Sequence, residues 1–260
     1  MVNIILYIVV ILATVFSGYY LRYLTFSGSV TAAAVGISVA LGFGWKGLVL
    51  LGLFFSTSSL WSKFKDDFKS QIEQKNAKGS RRDWQQVLAN GGIAVVSSLL
   101  FFYYEHPIWI LAFSVSIASA NSDTWASEIG TLSKHPPLFI RTFKRSEKGT
   151  SGAVSLLGSF AALLGSLLIA VFATFLFKLD LYYLSFIFLF GFLGNVFDTI
   201  MGAFLQASYL CPICQTETEK TIHCNQRTKL KRGIPFMNNE VVNFLSGLLA
   251  TIVGTLCFLK

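Results

Sequence analysis

Charged residues are scarce in this sequence, and their scarcity excludes most soluble proteins. Of the 260 residues, 13% are charged and 53% are hydrophobic, and the mean hydropathy is +0.61. Soluble globular domains contain about 25% charged residues. The composition therefore predicts an integral membrane protein.

Two familiar sequence signals are also missing. No Gly-x-x-x-x-Gly-Lys-Ser/Thr motif occurs, which argues against a P-loop nucleotide-binding enzyme. No Lys or Arg precedes the first apolar run, Asn3 to Leu21, so we do not expect a cleaved signal peptide there. We expect this run to be the first membrane span.

Eight apolar runs are long enough for helices that cross a hydrocarbon core of roughly 30 Å. The sequence thus predicts an all-α, polytopic integral membrane protein with about eight transmembrane helices in one domain, residues 1–260. The predicted spans are approximately 3–21, 28–44, 46–62, 86–104, 107–123, 152–177, 181–203 and 239–259.

The basic residues predict the topology. Segments 63–82, 134–148 and 220–232 contain 17 of the 21 Lys and Arg residues, and two predicted spans separate each segment from the next. All three segments can therefore lie on one side, and short basic loops are cytoplasmic. We expect a cell-membrane protein with both termini external and with cytoplasmic loops at 63–85, 131–151 and 205–237.

The net charge of +8 raises the question of a nucleic-acid partner. The basic residues are confined to loops beside the membrane, so we expect no nucleic-acid binding. Membrane lipid headgroups and a phosphorylated substrate are the anionic partners that this placement favours.

Three acids lie at the cytoplasmic ends of predicted spans: Asp123, Glu128 and Asp198. Ionisable groups at membrane depth are costly, so they are candidates for function. Carboxylates bind Mg²⁺, which can bridge to phosphate oxygens, and this predicts a Mg²⁺ site with catalytic acids. Pairing with Lys and Arg of the loops is the alternative explanation.

Two of these acids have similar surroundings, because Asn121 and Asn195 each shortly precede an Asp-Thr pair. This similarity raises the hypothesis of a duplicated two-helix unit and leaves a lipid or ion-coupled transporter, or flippase, as the alternative function. The acids lie near one face, whereas an alternating-access site belongs near the midplane.

Residues 148–152, Lys-Gly-Thr-Ser-Gly, have the composition of a phosphate-binding helix start. Free N–H groups and the positive end of the helix dipole favour an anion there. Lys144 and Arg145 precede this segment and add positive charge. The candidate phosphate-binding residues are therefore Lys144, Arg145, Lys148, Gly149, Thr150, Ser151 and Gly152.

Gln86 and Asn90 lie one helical turn apart at the start of a predicted span. Their amides can contact a nucleotide base or a phosphate, or they can cap the helix.

The last basic loop contains Cys211, Cys214, His223 and Cys224. Three thiolates and one imidazole suit a closed tetrahedral Zn²⁺ site, which would be structural because no coordination position stays open. Unligated thiols are the alternative, since the adjacent His223 and Cys224 need an unusual turn to bind one ion.

Five stretches in order along the chain resemble the family called domain of unknown function 92, or transmembrane protein 19. They are Gln86–Gly92, Asp123–Gly130 (Asp-Thr-Trp-Ala-Ser-Glu-Ile-Gly), Lys148–Gly152, Asp198–Gly202 with Gln206, and Asn238–Asn243. The cysteine cluster is not among them.

The family includes the plant phytyl-phosphate kinase of tocopherol synthesis and looks distantly related to CTP-dependent polyprenol kinases and CDP-diacylglycerol synthases. The resemblance implies transfer of a phosphoryl group from a nucleoside triphosphate, CTP among the candidates, to a prenyl or polyprenyl monophosphate. It implies catalytic or metal-binding roles for Asp123, Glu128 and Asp198. The candidate nucleotide or substrate contacts are Arg82, Gln86, Asn90, Asn121, Asn195, Gln206, Asn239 and Asn243.

Overall fold

The computed structural model describes residues 2–64, 77–79 and 81–259, with side chains from residue 4 onward. Most of these residues are helical. The helices are α1 (Val2–Tyr20), α2 (Phe26–Lys63), α3 (Trp84–Tyr104), α4 (Ile108–Gly130), α5 (Leu156–Phe177), α6 (Leu181–Phe204) and α7 (Asn239–Phe258). Three of the basic residues in the first predicted loop, Lys65, Lys69 and Lys75, lie outside the described residues.

Within the described residues, five helices are long and apolar enough to cross a membrane: α2, α3, α5, α6 and α7. Within α1, the apolar helical stretch Ile4–Tyr20 is shorter. The integral membrane architecture is therefore supported, while the count of eight spans stays a prediction.

Helix α2 is not straight, because Gly44 has φ 59° and ψ −145°. A straight helix of its 38 residues would be about 57 Å long, well beyond a hydrocarbon core of roughly 30 Å. Positive φ is available to glycine at little steric cost. The break divides α2 into 26–43 and 45–63, and it falls between the predicted spans 28–44 and 46–62.

Short polar side chains begin most of the helices. Each accepts a hydrogen bond from a backbone N–H of the first turn, which would otherwise lack a partner. These N-cap residues are Thr25 of α2, Asp83 of α3, Ser155 of α5, Asp180 of α6 and Asn238 of α7.

Helix α4 lies at the centre of the bundle, in contact with α2, α3, α5, α6 and α7. Its residues from Leu111 to Ser122 are all buried, including four serines and Asn121. Because other helices surround it, α4 need not be apolar, which explains why it is absent from the five apolar helices. It also continues to Gly130, beyond the predicted end at 123.

The outer surface is apolar. Large side chains such as Tyr20, Phe26 and Phe175 are about three-quarters or more exposed, at 77%, 74% and 80%. Such a surface is unstable in water and is typical of contact with lipid.

Short antiparallel strands lie in the loops that follow α4 and α6, so the all-α prediction was incomplete. One sheet has the order β2-β1-β3, a second has β5-β4-β8, and β6 and β7 form a hairpin. The strands are β1 (Leu138–Phe139), β2 (Lys144–Arg145), β3 (Ala153–Val154), β4 (Ser208–Leu210), β5 (Glu217–Thr218), β6 (Ile222–His223), β7 (Gln226–Arg227) and β8 (Lys229–Arg232). Strands of two to four residues are too short for a period-two pattern to reveal. Because β3 occupies 153–154, α5 begins at Leu156 rather than at the predicted 152.

Arg232 ties these two loops to the end of α6. Its guanidinium donates to the carbonyl oxygens of Gly202 at 2.9 Å and Ser151 at 3.3 Å, and to Glu217 at 3.1 Å. Burial raises the pKa of Glu217, but hydrogen bonds from Lys231, Ser208 and Arg232 outweigh that effect and hold it at about 2. The two loops are therefore joined at one end of the bundle.

Replacing Asn121 with Leu should destabilise the bundle. The Asn121 carboxamide accepts hydrogen bonds from Thr57 and Ser58, both at 3.2 Å, and donates to the Gly165 carbonyl at 2.8 Å. Leu keeps the volume but removes three buried bonds, so we expect a loss of about 2–4 kcal/mol in the free energy of unfolding. Unfolding in a mixed detergent series measures it.

Ser185→Ala is the matched control, since the exposed Ser185 hydroxyl bonds only within its own helix, to the Leu181 carbonyl. Equal stability of the Asn121 and Ser185 variants would contradict a bridging role for Asn121.

Candidate functional site

A polar cavity of about 330 Å³ opens at the end of the bundle where the loops after α2, α4 and α6 meet. The first turns of α3, α5 and α7 and the C-terminal parts of α4 and α6 form its walls. Fifteen of the candidate residues line it: Arg82, Gln86, Asn90, Asp123, Glu128, Lys148, Gly149, Thr150, Ser151, Gly152, Asn195, Asp198, Gln206, Asn239 and Asn243.

Apart from the four candidate zinc ligands, three candidate residues do not line this cavity. Asn121 lies in the core between α2 and α5. Lys144 is exposed on β2, and Arg145 donates to the Pro136 carbonyl at 2.7 Å. Both residues lie on the short β2 strand and neither lines the cavity, which the sequence alone could not reveal.

Two half-buried aspartates on neighbouring helices are held by amides from the next helix. Asn195 of α6 donates to Asp123 of α4 at 3.1 Å. Asn243 and Ser246 of α7 donate to the same oxygen of Asp198, at 3.0 and 3.2 Å, with the Asn243 amide oriented to satisfy both of its partners. The aspartates are close enough for their charges to interact. The network therefore orients both carboxylates at the cavity wall.

Glu128 belongs to a different part of the cavity. It lies five positions after Asp123, which turns its side chain about 140° around the helix axis. It accepts a hydrogen bond from Ser62 at 2.7 Å and interacts electrostatically with Arg82. Burial lowers the pKa of Arg82, and the Glu128 charge opposes that shift. Glu128 is thus placed to balance the charge of this arginine.

The loop at 148–152 has a backbone that only glycine fits well. Gly149 and Gly152 have φ angles of 80° and 81°. A Cβ at Gly152 would lie 2.4 Å from the Cα of Ala203, at the end of α6. The chain therefore turns sharply against α6, and this turn brings Lys148 and Ser151 to the cavity.

Three charged residues at the cavity were not selected from the sequence as site residues: Lys78, Glu219 and Glu240. Glu219 accepts hydrogen bonds from Ser151 at 2.9 Å and Gln206 at 2.7 Å, while burial raises its pKa. Lys78 pairs with Glu240 at 3.2 Å. A signal for Glu219 existed, since it and Glu217 are the acids of the otherwise basic segment 205–237.

The cavity's charges suit a divalent cation together with phosphate. Among the described residues, five carboxylates and three basic side chains line it, so an anion alone would meet an excess of negative charge from these groups. Mg²⁺ in proteins is bound through one or two carboxylates plus substrate phosphates and waters. Asp123 and Asp198 meet that requirement without a third acid.

A second, apolar cavity of about 110 Å³ lies between α1, α2 and α3. Leu48, Leu51 and Phe54 are among the residues that line it. It shares three lining residues with the polar cavity: Arg82, Gln86 and Asn90. The guanidinium of Arg82 lies 5.6 Å from the ring centroid of Phe54. The first turns of α3 therefore form a boundary between a polar and an apolar space.

Helix capping also accounts for Gln86, as the alternative explanation proposed. The backbone N–H of Gln86 donates to the Asp83 carboxylate, and the side-chain oxygen of Gln86 accepts from the backbone N–H of Asp83 at 3.1 Å. Gln86 thus caps α3 while lining both cavities.

The four candidate zinc ligands converge in the loop after α6. The ligand atoms of Cys211, Cys214, His223 and Cys224 all lie within 4.8 Å of one another. No other group of three or more His, Cys, Asp or Glu side chains converges in this way in the part of the chain that the structure describes.

Comparison with known proteins identifies the family of this chain. The model of the family described as integral membrane protein DUF92 matches residues 9–251. An uncharacterized membrane protein of Methanocaldococcus jannaschii is 31% identical over 241 residues, which cover 91% of this chain and 87% of that one. Protein PGR of Arabidopsis thaliana is 30% identical over 267 residues, covering 93% and 91%. The chloroplastic protein VTE6 of the same plant is 26% identical over 238 residues, covering 90% and 65%. No solved structure matches the chain significantly.

Replacing Gly152 with Ala should destabilise the loop at the cavity. The substitution strains a residue with φ 81° and forces a contact with the α6 backbone, so we expect a loss of at least about 2 kcal/mol in the free energy of unfolding. Thermal unfolding in detergent measures it. Gly79→Ala is the control, because a Cβ there meets nothing within 4 Å; a loss as large for Gly79 would contradict the argument.

Proposed function

Because the chain belongs to the DUF92 family of integral membrane proteins, we propose that it is a phosphotransferase acting on prenyl monophosphates. The family includes a plant phytyl-phosphate kinase. The proposed reaction transfers the γ-phosphoryl group of a nucleoside triphosphate, such as CTP, to a prenyl or polyprenyl monophosphate. The product is the corresponding diphosphate.

The observation that supports this proposal most directly is the boundary between the two cavities. A prenyl phosphate has a charged head and an apolar tail, and the polar and apolar cavities meet at Arg82, Gln86 and Asn90. With the phosphate beside Arg82, the first part of the tail would fill the space between α1, α2 and α3. A fully water-soluble metabolite has no apolar part that could occupy that space.

The remaining polar groups suit the triphosphate. Lys148 and the turn at 149–152 would hold phosphate oxygens through the ammonium group and backbone N–H groups. Lys78 also lines the cavity and pairs with Glu240 in the first turn of α7. The amides of Asn239 and Gln206 are available for the nucleotide.

Asp123 and Asp198 would hold Mg²⁺, which neutralises phosphate charge when bound. Asn195, Asn243 and Ser246 fix the orientation of these carboxylates by the hydrogen bonds described above. Glu128 would keep Arg82 oriented between the two cavities. Glu219 would hold Ser151, and with it the phosphate-binding turn.

The reaction needs no nucleophilic side chain. An oxygen of the prenyl phosphate attacks the γ-phosphorus, a new P–O bond forms, and the bond to the β-phosphate oxygen breaks to release the nucleoside diphosphate. The protein's contribution is to align the two phosphates and to offset their repulsion. Arg82 and Lys148 would align the phosphates and offset their repulsion.

The depth of the acids argues against the transporter hypothesis. Asp123 lies seven residues before the end of α4 and Asp198 six before the end of α6, so both are about 10 Å from the end of the bundle. An alternating-access site lies near the midplane. We propose that the cavity faces the cytoplasm, as the positive-inside rule predicts.

Labelled lipid product tests the proposed reaction. Purified protein in lipid nanodiscs is incubated with Mg²⁺, each of the four γ-labelled nucleoside triphosphates and prenyl phosphates of several chain lengths. We expect transfer by the wild type and a loss of about 10²-fold or more in Asp123→Asn and Asp198→Asn, because each removes a charge that would hold the cation.

Asp180→Asn is the matched control, since Asp180 caps α6 at the other end of the bundle and Asn is an equivalent cap. Folded wild-type protein that labels no lipid under any condition would contradict the kinase function. Retained activity in both cavity variants would contradict only the assignment of the aspartates.

Filling the apolar cavity tests the site of the tail separately. A Cβ at Gly52 meets nothing within 4 Å, and Gly52 lines this cavity. In Gly52→Leu we expect kcat/KM for long prenyl phosphates to fall about tenfold or more, with the KM for the nucleotide unchanged. Gly52→Ala should behave like the wild type. An unchanged kcat/KM for prenyl phosphates in Gly52→Leu would contradict this placement of the tail.

A further inference from the structure

We propose that Cys211, Cys214, His223 and Cys224 bind one structural Zn²⁺ ion, which holds Glu219 in the polar cavity. The zinc site itself does not depend on the proposed function. Its importance for turnover does.

The distances fit a tetrahedral site that needs little rearrangement. The Nδ1 atom of His223 lies 3.5 Å from Sγ of Cys214 and 3.3 Å from Sγ of Cys224. Zn–S and Zn–N bonds of about 2.3 and 2.0 Å at tetrahedral angles put sulfur and nitrogen about 3.5 Å apart. Since all four ligand atoms lie within 4.8 Å of one another, small side-chain shifts complete the site.

The backbone supplies the turn that adjacent ligands require. His223 pairs with Gln226 across the β6–β7 hairpin, and the two residues between them, Cys224 and Asn225, have φ angles of 50° and 56°. Positive φ at both central residues is the geometry of a type I′ hairpin turn. This turn brings the side chains of His223 and Cys224 to the same ion.

The first two ligands form a similar compact turn. The Gln215 N–H donates to the Cys211 carbonyl at 3.0 Å, and the Cys211 N–H donates to Thr216 at 3.1 Å. Gln215 also has a positive φ, of 57°. The two turns face each other, and their four ligand atoms are the ones that converge.

The loop lacks an apolar core that could replace a metal. Near the four ligands, the larger apolar side chains Ile213, Ile222 and Leu230 are exposed, at 63%, 62% and 45%. Small structures without a sufficient core depend on cross-links such as bound metal. Three thiolates and one imidazole favour Zn²⁺, and four protein ligands leave no open position for catalysis.

The ion would close a short loop that reaches the polar cavity. Residues 215–222 lie between Cys214 and His223, and Glu219 is in their middle. Glu219 contacts Ser151, Gln206 and the Ala77 N–H, at 2.9, 2.7 and 3.4 Å. It therefore joins the three loops at the mouth of the cavity, and zinc fixes the segment that presents it.

Metal analysis of the full-length protein tests the site. Protein purified without chelators should contain about one zinc per chain by mass spectrometry, and Cys214→Ser and Cys224→Ser should lose most of it. Co²⁺ in place of zinc should give the strong absorption of tetrahedral thiolate coordination. Cys257→Ser is the matched control, because Cys257 lies in α7 and outside the cluster.

Zinc far below one ion per chain after reconstitution, iron in its place, or a disulfide between cluster cysteines would overturn the proposal. Equal metal loss in Cys257→Ser would also overturn it. None of these measurements uses catalytic activity, so they can fail or succeed independently of the kinase assay.

Trypsin digestion tests the link to Glu219. Removal of zinc should speed cleavage at Lys220, Arg227 and Lys229 severalfold in the wild type, because the segment is then released. Glu219→Gln should retain zinc but lose turnover if the proposed function holds. An unchanged cleavage rate after zinc removal would overturn the role of the ion in fixing this segment.

Discussion

The structure depends on one constraint: polar groups at membrane depth need partners within the protein. Helix α4 is rich in serine and contains Asn121, so it can exist only inside a ring of other helices. Asn121 is bonded to α2 and α5, and Ser122 to the Ala162 carbonyl of α5. Those bonds fix the position of α4, and Asp123 follows Ser122 directly. The packing of the core therefore sets the position of Asp123.

The same constraint explains why the charged groups gather at one end. A carboxylate is tolerated where α4 and α6 approach the loops, since amides and basic side chains can reach it there. The loops then close over this end through bonds that cross between them, chiefly those of Arg232 and Glu219. The result is a polar cavity with walls formed by helices and with the loops after α2, α4 and α6 at its mouth. One wall of that cavity is shared with an apolar space.

Much of this arrangement could be predicted from the sequence. Hydropathy and basic loops predicted membrane helices, and motif residues such as Asp198 and Gly152 were selected before any geometry was known. Lys144 and Arg145 were grouped with Lys148 by sequence proximity, but they lie on a two-residue strand and do not line the cavity. Glu219 was overlooked because its partners Ser151 and Gln206 are distant in sequence. Hydropathy likewise ranks α4 below its neighbours, since burial inside a bundle cannot be read from one helix.

The break in α2 at Gly44 bears on how the proposed lipid and nucleotide substrates would reach the polar cavity. Both halves of α2 border the apolar space together with α1, and the second half reaches the polar cavity at Ser62. In the proposed reaction, the lipid would therefore reach the site sideways from the bilayer past α1 and α2, while the water-soluble nucleotide would enter through the loops. With separate routes to the site, the lipid would not have to leave the membrane and the nucleotide would not have to enter it.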